Sequence, residues 1–150
     1  MINPSDLIGR WDIISWLQLY DDGRRQAPLG ERLEGFIRYT PEGDMICIIA
    51  NAERKNFETG GQWNASEAEK AAAYSSMLAY AGRYRVEGDA VVHEVQTSLF
   101  PNWKGGEQRR RIRLEGRDAL FIEARLEDGT PEARTAQLAW RRAHGETQGQ

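Results

Sequence analysis

The sequence predicts an all-β protein: an eight-stranded antiparallel up-and-down barrel with one helix inserted between the third and fourth strands. Over most of the chain apolar residues recur at every second position, which is typical of half-buried strands. Short turns rich in Gly, Pro, Asp and Glu join nearly all of these segments, so neighbouring strands are expected to be antiparallel. Closing eight such strands removes both exposed sheet edges; a sandwich is the structural alternative.

The first three strands are read from alternation and turns. The first is "WDIISWLQLY" at 11–20, which ends at the break "DDG". A Pro-containing turn at 41–43 joins two further strands, over about 34–40 and 44–50. Alternation places five residues of the first strand on one face: Trp11, Ile13, Ser15, Leu17 and Leu19.

The middle of the chain changes to a helical composition. The Ala-rich stretch "SEAEKAAAYSSMLAYAG" predicts a helix over about 66–80. Ser66 and Glu69 have the spacing of a capping box, and Gly82 stands where a helix C-terminus is expected. Two strands joined at "EGD" follow, and then three more separated by turns at "EGRD" and "EDGTPE".

Composition limits the class of protein. The chain has 150 residues, is 40% hydrophobic and 29% charged, and carries a net charge of −3, which fits one globular domain at 1–143 with a polar tail at 144–150. We expect a cytoplasmic protein, because no secretory signal, membrane segment or strongly basic nucleic-acid-binding face is evident. One cysteine, two histidines and no nucleotide-binding or Gly-x-Ser-x-Gly motif argue against a disulfide, a metal and a cofactor.

The chain resembles a known family of barrels. "LIGRWDIISW" contains Gly9-Arg10-Trp11, the Gly-x-Trp start of lipocalins, and "LAWRR" supplies Arg141 and Arg142 near the end. In lipocalins, which are calycin-type barrels, that tryptophan plugs the closed end and an arginine of the last strand lies across its ring. Over nearly its full length the chain is similar to bacterial lipocalin-like domain proteins, whose most characteristic segment resembles "SLFPNW" at 98–103.

This resemblance implies the barrel fold but says little about the protein's function. Secreted lipocalins carry their helix after the barrel, so the inserted helix predicted here argues against assigning a transport role by analogy. Related small barrels include both carriers and enzymes that use no cofactor.

Two residues are candidates for chemistry. On the fifth strand, period 2 places His93 on the same face as Val91 and Val95, where an apolar barrel would lower the pKa of a neutral imidazole and leave a general base. The alternative is a core histidine that neighbours satisfy by hydrogen bonds. On the sixth strand Arg110 shares the apolar face, so it must bind an anionic ligand, pair with an inward acid or lie at the rim.

Aromatic residues are the candidate ligand-binding set, although packing in the core is the alternative for each of them. Three tyrosines offer hydroxyl groups, and Tyr80 is expected on the helix. Residues on the loop before the helix are expected to cover the open end, and those around Pro101 to stand at its rim. The candidates are Tyr39, Tyr80, Tyr84, Trp63, Phe57, Phe100 and Trp103.

Three functional hypotheses follow. The first is a barrel that binds a hydrophobic or aromatic small molecule in its interior. The second is a cofactor-independent isomerase, cyclase or lyase in which His93 moves a proton while Arg110 stabilises an oxyanion on an aromatic or polyketide-like substrate. The third is a filled barrel that acts through a protein interface or as a homodimer.

Overall fold

The computed structural model describes residues 2–143, so the predicted tail and His144 lie outside the described residues. The strands are β1 (Gly9–Tyr20), β2 (Arg25–Gln26), β3 (Leu33–Tyr39), β4 (Asp44–Asn51), β5 (Met77–Glu87), β6 (Ala90–Ser98), β7 (Glu107–Glu115), β8 (Ala119–Leu126) and β9 (Arg134–Arg142). They form one antiparallel sheet in the order β2-β1-β3-β4-β5-β6-β7-β8-β9, and β1 also pairs with β9, which closes the barrel. This confirms the predicted eight-stranded barrel.

One extra strand changes the predicted place of the helix in the strand order. Arg25 and Gln26 pair with the end of β1 as the two-residue strand β2. The helix α1 (Glu67–Ser75) therefore lies between β4 and β5 rather than between the third and fourth strands.

The helix is shorter than the composition indicates. Ser66 caps it, because its side chain accepts a hydrogen bond from the Glu69 backbone nitrogen. The prediction that it continues to residue 80 is wrong, since β5 begins at Met77 and pairs with both β4 and β6. Gly82 is not a helix stop but a point of close approach in β5. A Cβ atom there would lie 1.9 Å from the Glu94 carbonyl oxygen.

A bulge changes which side chains of β1 face the interior. The pairing of β1 with β9 shifts between Ile13 and Ser15, and Ile14 is 50% exposed. One extra residue in a strand reverses the inward and outward alternation beyond it. The predicted face is therefore correct for Trp11 and Ile13 and wrong after them. Beyond the bulge Trp16 and Gln18 line the interior in place of Ser15, Leu17 and Leu19.

The end of the barrel at Trp11 is closed by packing and hydrogen bonds. Trp11 and Leu7 are fully buried, and the indole nitrogen of Trp11 donates to the Leu7 carbonyl oxygen at 2.9 Å. Arg142 lies over the Trp11 ring at 4.1 Å, whereas Arg141 is exposed. The Arg142 guanidinium also donates to the backbone carbonyls of Asp6, Ile8 and Arg117.

The outer face of the barrel is polar. A basic stripe on β7 is exposed, and its members pair with acidic residues of the same surface. Within residues 2–143 no helix is both long and apolar enough to cross a membrane. The pairs in the stripe are Arg109 with Glu87, Arg111 with Asp89, and Arg113 with Glu115.

Arg142→Ala should lower the free energy of unfolding by about 3 kcal/mol, because it removes a cation–π contact and three hydrogen bonds to backbone carbonyls. Urea denaturation measures the change. Arg141→Ala, one residue earlier on the exposed face, is the matched control and should stay within about 0.5 kcal/mol of wild type. Equal losses for the two variants would contradict this role of Arg142.

Candidate functional site

A cavity of about 320 Å³ lies inside the barrel, away from the Trp11 end. Its volume falls in the range of small-molecule sites, and aromatic and aliphatic side chains form most of its wall. Two larger depressions, of about 790 and 480 Å³, lie on the outside and are lined largely by charged or exposed residues. The interior cavity is therefore the candidate site.

Small side chains create this space. Strand pairing places Ala124 of β8 beside Ala136 of β9, and Ala136 beside Gln18 of β1. One layer closer to Trp11, the corresponding positions carry the larger side chains Ile122, Leu138 and Trp16. The interior is consequently packed in one layer and open in the next.

His93 of β6 is held by two tyrosines. The imidazole is 1% exposed, and its Nε2 lies 2.7 Å from the Tyr39 hydroxyl while its Nδ1 lies 2.8 Å from the Tyr80 hydroxyl. Burial, with a smaller effect of the Arg110 charge, lowers the pKa of His93 to about 3. The ring is therefore neutral at physiological pH and hydrogen-bonded at both nitrogens.

Counting donors assigns the tautomer of His93. A neutral imidazole has one N–H donor and one acceptor, so one tyrosine must donate to it and the other must accept. The Tyr39 hydroxyl has no second partner within the described part of the chain, so its O–H is satisfied only if it donates to Nε2. Nδ1–H then donates to the Tyr80 oxygen.

This assignment directs the O–H of Tyr80 away from the histidine. Tyr80 lines the cavity together with Cys47. Burial raises the pKa of the Cys47 thiol to about 12, and a hydrogen bond with Tyr80 acts in the opposite direction. The Tyr80 O–H therefore donates to the Cys47 thiol, a weak acceptor that an oxygen of a molecule in the cavity could replace.

Arg110 of β7 brings a positive charge to the cavity, and no acidic residue in the described range pairs with it. Its one hydrogen bond among residues 2–143 runs from Nη1 to the Arg109 carbonyl oxygen, at 3.3 Å. Of the described residues that line the cavity, none is Asp or Glu, so the predicted pairing with an inward acid does not occur there. In the same part of the chain no group of three or more His, Cys, Asp or Glu side chains is placed to hold a metal.

Residues of the cavity wall also contain buried donors that have no acceptor in the described part of the chain. The indole nitrogens of Trp16 and Trp140 and the Nε of Arg134 are buried, and none has a hydrogen-bond partner within the described range. Most buried N–H groups in proteins are paired, so three such atoms around one cavity are unusual. Alternation along β9 could have identified Arg134, Ala136 and Trp140 from the sequence. The bulge at Ile14 reverses the alternation along β1, so the same reasoning does not place Trp16 on the interior face.

The structure brings only some of the predicted ligand-binding residues to the cavity. His93, Arg110, Tyr80 and Trp103 line it, and Tyr80 does so from β5 rather than from the helix. Trp103 makes edge-on contacts with the rings of Tyr80 and Phe100.

Five other predicted residues lie outside the cavity wall. Tyr39 lies behind His93, and Tyr84 packs on Tyr39 and donates to the Thr40 carbonyl oxygen. Phe100 is 41% exposed on an outer groove, and Trp63 is 80% exposed. Phe57, expected to cover the open end with Trp63, lines the 790 Å³ outer depression instead.

Comparisons with known proteins agree with this architecture. A family model described as "Lipocalin-like domain" matches residues 8–143. The 4'-hydroxy-3'-methoxypropiophenone carrier protein ppsC of Aspergillus oryzae is 37% identical in a 59-residue alignment that covers 34% of this chain and 53% of that relative.

The solved structures that the chain matches are remote from it in sequence. An uncharacterized protein from Bacteroides eggerthii is 12% identical, with coverage of 91% of this chain and 99% of that chain and a TM-score of 0.46. A de novo designed fluorescence-activating β-barrel is also 12% identical, with coverage of 95% and 100% and a TM-score of 0.45.

The assigned tautomer is directly measurable. Two-bond ¹H–¹⁵N correlation spectra of the imidazole should show His93 with a protonated Nδ1 and an unprotonated Nε2, unchanged from pH 7 to pH 5. Tyr39→Phe removes the donor to Nε2 and should allow the Nε2–H form to appear. A doubly protonated ring at pH 5, or Nε2–H in the wild type, would show that the assignment is wrong.

His93 should also make stability depend on pH. Its pKa is about 3 in the folded chain and about 6.5 when unfolded, so between these values the unfolded state binds one more proton. As the pH falls from 6.5 to 5, the free energy of unfolding should drop by up to ~1.4 kcal/mol per pH unit from this group. His93→Gln should flatten the dependence of the free energy of unfolding on pH, and His144→Gln should not. Equal pH dependence in wild type and His93→Gln would refute the lowered pKa of His93.

Proposed function

We propose that this chain, which belongs to the lipocalin-like domain family, binds a hydrophobic or aromatic small molecule inside its barrel. The observation that carries the proposal is the 320 Å³ interior cavity. An eight-stranded barrel either fills its interior with its own side chains or leaves room for one small ligand. The open layer at Ala124 and Ala136 favours the second case over a filled barrel that acts through its surface.

Aromatic walls support an aromatic ligand. Trp16, Trp103 and Trp140 line the cavity from β1, the turn after β6, and β9. Indole rings stack on aromatic molecules face-offset or edge-on, and such contacts add to the effect of apolar burial. The relative from Aspergillus oryzae is named as the carrier of an aromatic ketone, which is consistent with a ligand of this kind.

Binding is favoured over catalysis by the state of His93. A general base works best with a pKa near the operating pH and with a free nitrogen facing the proton that it removes. Both His93 nitrogens are already hydrogen-bonded, and the pKa of about 3 makes the ring a weak base at neutral pH. Cofactor-independent catalysis, the cytoplasmic location and a homodimer stay predictions.

A cavity-filling substitution tests the proposal. Isothermal titration calorimetry would use 4'-hydroxy-3'-methoxypropiophenone, 2-naphthoate and methyl 2-naphthoate as probes. Ala136→Leu puts a larger side chain into the open layer and should weaken any probe that binds by tenfold or more. Because it fills a cavity, it should keep or raise stability, by about 1 kcal/mol.

The matched control is Ala139→Leu, three residues further along β9, at a position that does not line the cavity. It should leave the affinity unchanged. The proposal fails if no probe binds the wild type with one-to-one stoichiometry, or if the two leucine variants bind alike.

A further inference from the structure

We propose that the cavity selects aromatic carboxylates, with the carboxylate held by Arg110 and the Tyr80 hydroxyl and the ring placed in the open layer at Ala124 and Ala136. This inference rests on the proposed function and names the ligand class of that site. Three independent features of the cavity wall support it: its charge, its balance of donors and acceptors, and the position of its free space.

The positive charge of Arg110 on the cavity wall favours a negatively charged ligand. Arg134 also lines the cavity, but its Nη1 is paired with Glu127 at 2.7 Å. Arg110 has no such partner in the described part of the chain, and burial disfavours its charged form. A guanidinium stays protonated even so, and leaving it unpaired in an apolar interior is unfavourable. A ligand carboxylate fits its planar fork with two parallel hydrogen bonds.

The hydrogen-bonding groups of the wall are mainly donors. The Tyr80 O–H, directed away from His93, stands in the same group of residues as Arg110, whose charge acts on Tyr80 and Cys47. The amides of Gln18 and Gln108 are the neutral groups that can also accept. Acceptor oxygens on the ligand would pair with the Arg110 guanidinium, which has no acidic partner among residues 2–143.

The free space lies beside the charge. In the strand pairing of β7 with β8, Arg111 is opposite Glu123. The same register places Arg110 beside Ala124. Ala136 follows on β9. A planar ring in this layer would contact the Trp16 and Leu138 side chains of the layer below, with its carboxylate at β7.

Comparing an acid with its ester tests the inference. Calorimetry at pH 7 with wild-type protein should give 2-naphthoate an affinity at least tenfold higher than that of methyl 2-naphthoate, which has the same ring and no charge. Arg110→Gln should weaken 2-naphthoate by tenfold to a hundredfold and change the ester little. Arg111→Gln, the exposed neighbour on the outer face of β7, should leave both affinities unchanged.

The outcomes separate this inference from the function on which it rests. If acid and ester bind the wild type equally and Ala136→Leu blocks both, the interior site stands and the selection of carboxylates is overturned. Retention of the acid preference in Arg110→Gln also overturns it, since another group must then hold the anion. If neither probe binds the wild type, the inference fails. The wild-type comparison needs no variant, so a folding defect in Arg110→Gln leaves the test intact.

Discussion

The pairing of β1 with β9 is the constraint on which the rest of the structure depends. It converts a meander with two open edges into a closed barrel with an interior. The same pairing brings Arg142 over Trp11 at one end and sets Trp16 beside Leu138 in the middle. Because the register shifts at Ile14, closure also decides which residues of β1 reach the cavity.

Polar groups inside the barrel fall into two kinds. His93 is satisfied on both sides by Tyr39 and Tyr80, which explains how an imidazole is accommodated in a largely apolar interior. Arg110 and the indole nitrogens of Trp16 and Trp140 lack such partners among residues 2–143. We interpret the first kind as part of the architecture and, of the second, Arg110 as the group that faces a ligand. His93 connects the two, since its tautomer sets the direction of the Tyr80 O–H.

The sequence predicted the barrel because alternation and short turns are local signals that every strand repeats. It also placed His93 and Arg110 on apolar faces, for the same reason. It extended the helix through Tyr80, because Ala-rich segments suit a helix and only pairing with β4 and β6 makes residues 77–80 a strand. The bulge at Ile14 has no local signal. That no described residue of the cavity wall is an acid facing Arg110 depends on distant strands, which one strand's pattern does not reveal.

The central claim is that an aromatic ligand occupies the layer of the barrel that Ala124 and Ala136 leave open. Intermolecular nuclear Overhauser effects between 2-naphthoate ring protons and methyl-labelled alanines measure this directly. A ligand in this layer should give contacts to the methyl groups of Ala124 and Ala136. Contacts instead to Ala68 and Ala72, which line the outer depression beside α1, would place the ligand on the surface and contradict binding inside the barrel.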